Sequence, residues 1–351
     1  MDRLRGDNMA IVQLISSDMT WDGMLKLNSQ ESLVFLCQRL RIEEEWQASY
    51  MEPAAFLQQF FMEDPDKIIM LLSQGDVELL FSIWDAKDSF ELSYMDRRNI
   101  VPLEKVGFLQ YDPRKKILLV NEEAKHNFYF YLKSRSSVRA IHEYQRLEYA
   151  IKGILYQCGI MEFTQLCDIL LEGGIEKSKE EIHGFLVGRM EFFDFLGILK
   201  NTKTQAFYLE SCEVKNRERI FEGWIQEERP FHKISMEEAI FSGKMNGIGI
   251  FKGSKEMMAF CLTKIFDDVI PATVFVKTIL IYIQNGDPLE QLQEKLKSKI
   301  SDFSEEEKNI FQEYLAQMYL YTPLFHLKGY SRWEVEQENL RFSVIQGGRN
   351  D

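Results

Sequence analysis

Apolar residues recur at helical spacing through the first part of the chain. From Gln30 the repeat is three or four positions, and it continues in short segments past Pro53 and Asp64. The period then changes to two short apolar runs, 106–111 and 117–120, which predict the strands of a β-hairpin. Helices followed by a hairpin are the order of a winged helix, in which the hairpin is the wing. We therefore predict an N-terminal helical segment over 1–50 and a winged-helix-like unit over 51–140.

The same order recurs immediately afterwards. Two amphipathic helices are predicted over 147–158 and 163–171, and Ser178-Lys-Glu-Glu181 then forms a capping box that opens a third helix. Two apolar runs, 197–200 and 205–209, follow as a second hairpin. The pattern predicts a second winged-helix unit over 141–212. At least two of the residues that end this third helix should lie in the core; these residues are Phe192, Phe193, Phe195 and Leu196.

From about Glu213 the apolar spacing is helical again. Stretch 230–253 contains four glycines and is predicted to be irregular. Helices are predicted over 216–226, 255–266, 271–284, 288–300 and 304–321, the last opened by a second capping box. The domain over 213–351 should therefore be all-α. The expected fold is mainly α with small β-hairpins: tandem winged-helix-like units followed by an all-α helical domain.

The charge balance is acidic but uneven. The 351 residues include 42 Lys and Arg against 55 Asp and Glu, a net charge of −13. An acidic surface repels nucleic acid phosphates. Residues 97–152, however, contain twelve Lys or Arg and six Asp or Glu. This basic segment fits either a solvated helix face or a surface for an anionic partner.

Cysteine usage and hydropathy favour a cytoplasmic protein without a membrane partner. The five cysteines are odd in number and no two have CxxC spacing, which is typical of a reducing compartment. The N-terminal residues lack the pattern of a secretory signal. The longest apolar stretch, 269–283, is interrupted by polar residues and is shorter than the ~20 residues that a membrane span needs.

Sequence motifs for catalysis and metal binding are absent. The chain has no HExxH, GxSxG or P-loop pattern, and its five histidines are scattered without ligand spacing. We therefore predict that the protein is not an enzyme. No residue of this chain is assigned a catalytic, cofactor-binding or metal-binding role.

Basic residues in the two predicted winged-helix units are the candidate contacts for nucleic acid or for a protein partner. A winged helix reads DNA with its third helix and contacts phosphates with its wing. The first hairpin turn is basic, whereas the third helix of the second unit balances its Lys and Arg with Glu. The candidates are Arg114, Lys115 and Lys116 in the first turn, Lys179, His183 and Arg189 in that third helix, and Lys200 and Lys203 in the second wing.

Two segments near the C terminus resemble the bacterial SEC-C motif proteins. Residues 321–335, Tyr-Thr-Pro-Leu-Phe-His-Leu-Lys-Gly-Tyr-Ser-Arg-Trp-Glu-Val, resemble the N-T-P-L-W-x-L-K-G-x-S-P-x-E-L segment that closes that family's helical domain. Gly-Arg-Asn-Asp at 348–351 is similar to the four residues that open its zinc knuckle. The resemblance implies that a knuckle follows Asp351, so zinc is expected only with that tail. A similar knuckle in a protein-translocase motor binds a chaperone, which implies a role in protein quality control or export.

Two functions remain open from the sequence. One is a non-enzymatic protein-interaction adaptor or scaffold, indicated by the resemblance, the acidic balance and the lack of catalytic motifs. The other is a winged-helix DNA-binding transcriptional regulator, indicated by the basic segment and the two wings. Phosphate contacts would make the affinity of such a regulator fall steeply with salt.

Overall fold

The chain forms two compact units, each made from two stretches of sequence. They are residues 1–146 with 177–193, and residues 147–176 with 194–351. The computed structural model describes residues 10–93, 96–190, 192–193, 195–201 and 205–338, with the backbone alone at 97 and 98. Lys203 and the 348–351 match lie outside the described residues. The units cut across the predicted boundaries, because the third helix of the predicted 141–212 unit belongs to the first compact unit.

Helices make up most of the described chain, so the prediction of a mainly α fold with small sheets is confirmed. The helices are α1 (Trp21–Leu25), α2 (Gln30–Leu40), α3 (Glu43–Ser49), α4 (Pro53–Glu63), α5 (Asp66–Leu71), α6 (Gln74–Asp85), α7 (Asp96–Lys105), α8 (Glu122–Leu132), α9 (Arg135–Cys158), α10 (Phe163–Glu172), α11 (Lys179–Arg189), α12 (Arg217–Gln226), α13 (Met236–Lys244), α14 (Ser254–Lys264), α15 (Val269–Gln284), α16 (Leu289–Leu296) and α17 (Glu305–Tyr321). A further helix covers 332–338. The strands are β1 (Ala10–Ser17), β2 (Ser89–Leu92), β3 (Leu109–Asp112), β4 (Ile117–Asn121), β5 (Ile160–Glu162), β6 (Leu196–Lys200) and β7 (Phe207–Ser211).

A four-stranded sheet in the order β2-β1-β4-β3 organises the first unit. Strands β3 and β4 form the first predicted hairpin. Its turn is closed by the Asp112 carboxylate, which accepts hydrogen bonds from the amides of Arg114 (3.0 Å) and Lys115 (3.1 Å). Lys116 completes the turn with a positive φ of 55°. The turn that the sequence predicted is therefore fixed by contacts within a few residues.

Strand β1 corrects the prediction of an N-terminal helical segment over 1–50. It runs antiparallel to β2 and parallel to β4, with Ala10 opposite Leu92 and Gln13 opposite Ile117. Such pairing partners are far away in sequence, so no local pattern identifies the strand. Residues 10–17 thus form a central strand of the sheet.

Four aromatic rings form the centre of the first unit. The ring of Trp21 is fully buried and lies 4.9 Å from Phe128, 6.0 Å from Phe108 and 6.2 Å from Phe61, between centroids. Its indole Nε1 donates to the carbonyl of Val106 at 2.8 Å. This bond satisfies the one polar atom that burial of a tryptophan would otherwise leave unpaired.

Helix α11 packs against α2 and α5 within the first unit. It begins with the predicted capping box, in which Ser178 Oγ accepts the Glu181 amide (3.1 Å) and the Glu181 carboxylate accepts the Ser178 amide (2.7 Å). The helix ends at Arg189, earlier than predicted, and beyond it Phe193, Phe195 and Leu196 are buried. The prediction that at least two of these residues lie in a core is therefore confirmed.

The second unit combines a small antiparallel sheet with a set of helices. The strands lie in the order β5-β7-β6, and β6 and β7 form the second predicted hairpin. Helices α14, α15 and α17 enclose an apolar core in which Ile279 and Phe311 are fully buried. The prediction of an irregular 230–253 stretch is wrong for α13, which a capping box between Ser235 and Glu238 opens. The glycines of this stretch indicated a loop, but the Ser-x-x-Glu pattern at 235–238 is typical of a helix N terminus.

Candidate functional site

The basic turn of the first hairpin is exposed. Arg114, Lys115 and Lys116 all face solvent, and Lys115 Nζ lies 3.6 Å from the Asp112 carboxylate. Hydrogen bonds from the backbone of Lys115 and Arg114 lower the pKa of Asp112. The turn therefore presents three cationic side chains to solvent, next to the carboxylate of Asp112.

The basic residues of helix α11 are not displayed as in a helix that contacts bases in a DNA groove. Lys179 is partly exposed, and the His183 ring contacts the Arg41 guanidinium at the end of α2. Burial, and then the charge of Arg41, lower the pKa of His183. Arg189 is only 4% exposed, and its guanidinium lies over the rings of Phe185 (5.9 Å) and Phe193 (5.4 Å). Only a small part of the Arg189 side chain is therefore accessible to a ligand.

The second predicted wing supplies one described candidate. Lys200 is exposed at the end of β6, and its Nζ lies 5.5 Å from the centroid of the Phe207 ring on the paired strand. The candidate residues thus lie on the β3–β4 turn, on α11 and on β6, and Lys203 lies outside the described residues. They are distributed over separate elements.

A cleft in the second unit brings together residues that are not among the contacts predicted from the sequence. Its volume is about 240 Å³. One wall is part of the 321–335 segment that resembles the SEC-C proteins, and the others come from the residues around His232, α13 and the turn before α14. The lining consists of Gln157, His232, Lys233, Ile234, Glu238, Ser242, Ile250, Phe251, Tyr321, Pro323, Gly329, Ser331, Trp333 and Glu334.

His232 is the central polar residue of the cleft. Gln157 Nε2 donates to its Nδ1 at 2.6 Å, so Nε2 carries the hydrogen and donates to Glu334 Oε1 at 2.9 Å. The backbone amide of His232 donates to the Lys328 carbonyl, and the ring meets the edge of Tyr330 at 4.8 Å. Gln157 and Glu334 are 75 and 102 residues away from His232 in sequence, so no local signal could have identified the site.

Glu334 connects His232 to helix 332–338. Its Oε2 accepts both the amide (2.8 Å) and the hydroxyl (2.7 Å) of Ser331, which caps helix 332–338. Burial opposes its ionisation, but hydrogen bonds from His232 and Ser331 outweigh burial and lower the pKa of Glu334 to about 2. Glu334 is therefore ionised at neutral pH and holds the cleft wall in place.

Ion pairs and hydrogen bonds of charged side chains fix the segment 227–229, which precedes His232. Arg229 pairs with Glu227 (2.5 Å) and Glu338 (2.8 Å), and its guanidinium lies 4.8 Å from the Tyr330 ring. Lys328 Nζ donates to the carbonyls of Glu227 (2.7 Å) and Arg229 (3.1 Å). The cleft is therefore preorganised by ion pairs, which suits binding of a partner without rearrangement.

Ser331 and His232 of the cleft are not arranged as a nucleophile and its base. The Ser331 hydroxyl donates to Glu334, and both ring nitrogens of His232 are already hydrogen bonded.

Three buried cysteines lie outside the cleft lining. Burial raises the pKa of the Cys37, Cys158 and Cys261 thiols to about 12, which keeps them protonated. Among the described residues, no group of three or more His, Cys, Asp or Glu could hold a metal ion.

Comparison with known proteins adds no assignment. The chain matches no known protein family, no curated protein and no solved structure. None of the helices in the described part of the chain combines the length and the apolar character needed to cross a membrane.

Proposed function

We propose that this chain is a non-enzymatic protein-interaction adaptor whose winged-helix-like units pack and dock rather than read DNA. The observation that carries this proposal is the packing of α11 against α2 and α5. A DNA-binding winged helix presents its third helix to a groove with several basic side chains exposed. Here Arg189 of that helix is buried and His183 contacts Arg41, so the helix serves packing within the protein.

The winged-helix-like assignment of the second predicted unit is supported by element order alone, since α11 belongs to the first compact unit. Elements α9, β5, α10, α11, β6 and β7 follow one another, and their strands lie in the order β5-β7-β6. For 51–140 the support is weaker, because the β3–β4 hairpin belongs to a sheet that also contains β1 and β2. We propose the tandem arrangement on this order of elements.

The cleft around His232 is the surface proposed for the protein partner. Trp333 on its rim is 39% exposed, and its ring lies 5.6 Å from that of Tyr321. Tryptophan and tyrosine are enriched among the residues that dominate protein interfaces. By the SEC-C resemblance, we further propose a cytoplasmic role in protein quality control or export.

Site-specific photo-cross-linking tests the cleft. A photoreactive amino acid placed at Trp333 should capture one discrete protein in cells. The matched control position is Phe130, which is 80% exposed on α8 of the first unit and should not capture that protein. Equal adducts from both positions, or none from position 333, would contradict the proposal.

A DNA-binding regulator is the second candidate, favoured by the exposed turn of Arg114, Lys115 and Lys116. Fluorescence anisotropy with random-sequence duplex DNA at low and moderate salt separates the two functions. The adaptor proposal expects no binding even at low salt. Binding with a steep logarithmic salt slope, weakened by Lys115→Glu, would make DNA binding the better assignment.

A further inference from the structure

Strand β6 forms one edge of the small sheet in the second unit. The sheet has the order β5-β7-β6, so β6 has a neighbouring strand on one side only. The amide of Asn201 donates to the carbonyl of Ala206 at 2.9 Å, and the amide of Cys212 donates to the carbonyl of Phe195 at 3.0 Å. Bonded and non-bonded residue pairs alternate along an antiparallel ladder, so these two bonds fix which residues of β6 bond to β7.

The ladder leaves every second residue of β6 facing away from β7. Residues 195 and 201 bond toward β7, so the backbone N–H and C=O groups of Leu196, Ile198 and Lys200 point outward. None of these six groups has a hydrogen-bond partner among the residues that the structure describes. Unpaired backbone groups in such a row are a template on which another strand can add.

The edges of the sheet in the first unit are protected, whereas β6 is not. At the β3 edge the amide of Tyr111 donates to Glu104 Oε1 at 2.8 Å, and α7 packs against the strand. The β2 edge carries the exposed carboxylate of Glu91. Residues 196–199 of β6 are uncharged and include no proline, and Lys200 at the end is the charged residue of the strand. Strand β6 therefore lacks the features that commonly prevent edge pairing.

The side chains along β6 leave room beside the strand. Ile198 and Leu199 are partly exposed and Lys200 is exposed. A Cβ on Gly197 would meet no atom within 4 Å apart from its chain neighbours. The strand is thus accessible as well as unpaired on its outer side.

We infer that β6 pairs in antiparallel orientation with β6 of a second copy of this chain, about a twofold axis at Ile198. In this register Ile198 lies opposite Ile198 of the second copy, and Leu196 lies opposite Lys200 of the second copy. All six outward groups of each strand then form hydrogen bonds. The pairing joins two three-stranded sheets into one continuous sheet. The inference does not depend on the proposed adaptor function.

A second copy suits this edge because β6 is self-complementary. Like charges directly opposite each other destabilise a strand pair, but here each Lys200 faces a leucine. The two Lys200 residues are offset by four positions, about 13 Å along the strands. That distance exceeds the screening length of about 8 Å at physiological salt. The uncharged side chains of 196–199 offer no charged group that would select a different strand.

Sedimentation velocity of the full chain between about 1 and 100 µM tests the pairing. We expect a dimer that dissociates on dilution, because one pair of short strands is a small interface. Ile198→Pro removes an outward N–H and directs the proline ring toward the second strand, but it removes no bond to β7. This variant should weaken dimerisation about tenfold or more.

Ser89→Pro is the matched control, because it makes the same change on the edge strand β2 of the other sheet. The amide of Leu14 donates to the carbonyl of Asp88, so the N–H of the next residue, Ser89, points away from β1. This variant should leave dimerisation unchanged.

Cysteine cross-linking tests the register and decides the question if Ile198→Pro does not fold. Opposite residues of a bonded pair have Cα atoms about 5.5 Å apart, which suits a disulfide. Oxidation should therefore cross-link Ile198→Cys above the wild-type background. Leu199→Cys should not cross-link, because the two residues 199 are offset along the strands and too far apart. A chain that stays monomeric, a dimer that folded Ile198→Pro does not weaken, or equal cross-linking at 198 and 199 would overturn the inference.

Discussion

The centre of the first unit is a cluster of aromatic rings, whereas the second unit contains, besides its apolar helical core, an ion pair with a buried carboxylate. Around Trp21 the buried neighbours are Phe61, Phe108 and Phe128. In the second unit, Lys277 Nζ lies 2.8 Å from Glu213 Oε1 and donates to the Tyr156 hydroxyl at 3.0 Å. Glu213 is only 6% exposed. The aromatic centre is held by burial of apolar area, whereas the Lys277–Glu213 pair depends on charges that must stay paired.

The aromatic centre and the buried ion pair should differ in how their contribution to stability depends on pH. Burial of apolar area hardly depends on pH, since no group titrates. A buried ion pair specifies its partners closely, but removing one partner leaves a charge without compensation. We therefore expect the stability of the second unit to depend on pH and that of the aromatic centre not to.

The largest loss of stability is expected for Trp21→Ala. Removing this fully buried ring leaves a cavity beside three aromatic rings and frees the Val106 carbonyl. The free energy of unfolding should fall by about 3–5 kcal/mol, equally at pH 5 and pH 8. Trp46→Ala is the control, because Trp46 also donates its Nε1 to a carbonyl but is partly exposed. Equal losses in both variants, measured by denaturant unfolding, would contradict the special role of the ring cluster.

A smaller, pH-dependent loss is expected for Lys277→Met. The change leaves Glu213 buried without its cation, and because Lys277 is itself 30% exposed the loss should be about 2–3 kcal/mol at neutral pH. Burial already raises the pKa of Glu213 above its ordinary 4.5, and loss of Lys277 raises it further. Glu213 therefore becomes neutral as the pH falls toward 4.5, and the loss should shrink.

Adding Glu213→Gln to Lys277→Met provides the control, since it removes the buried charge. The double variant should recover part of the stability at neutral pH and lose the pH dependence. A loss for Lys277→Met that stays constant between pH 8 and pH 5 would show that charge is not its cause.

The smallest loss is expected for Glu334→Gln in the cleft wall. The glutamine keeps the shape of the side chain but loses the charge that faces His232. Because Glu334 is 32% exposed, solvent screening limits the expected loss to about 1 kcal/mol at pH 7. The folded-state pKa of about 2 lies below the ordinary 4.5, so this contribution is present above pH 4.5 and disappears as the pH falls toward 2. Urea unfolding at pH 7 and pH 3 checks this, and a larger difference at pH 3 would contradict it.

Patterns within a few residues determined much of the secondary structure. The capping boxes at Ser178 and Ser304 open α11 and α17 as predicted, because the serine and the glutamate that form each box are three residues apart. Both hairpins also lie where the change from helical to alternating spacing places them. Local hydrogen bonding and burial of one face are enough to specify such elements.

Tertiary structure decided what depends on distant partners. Strand β1 needs β2 and β4, and the cleft needs Gln157, His232 and Glu334 together. The sequence places a charged residue at Arg189, and only the packing of α11 buries it. Pairing and burial of this kind are set by contacts between segments that are far apart in the chain. Local patterns therefore specify most of the helices and both hairpins, whereas the folded units specify strand β1 and the environment of each residue.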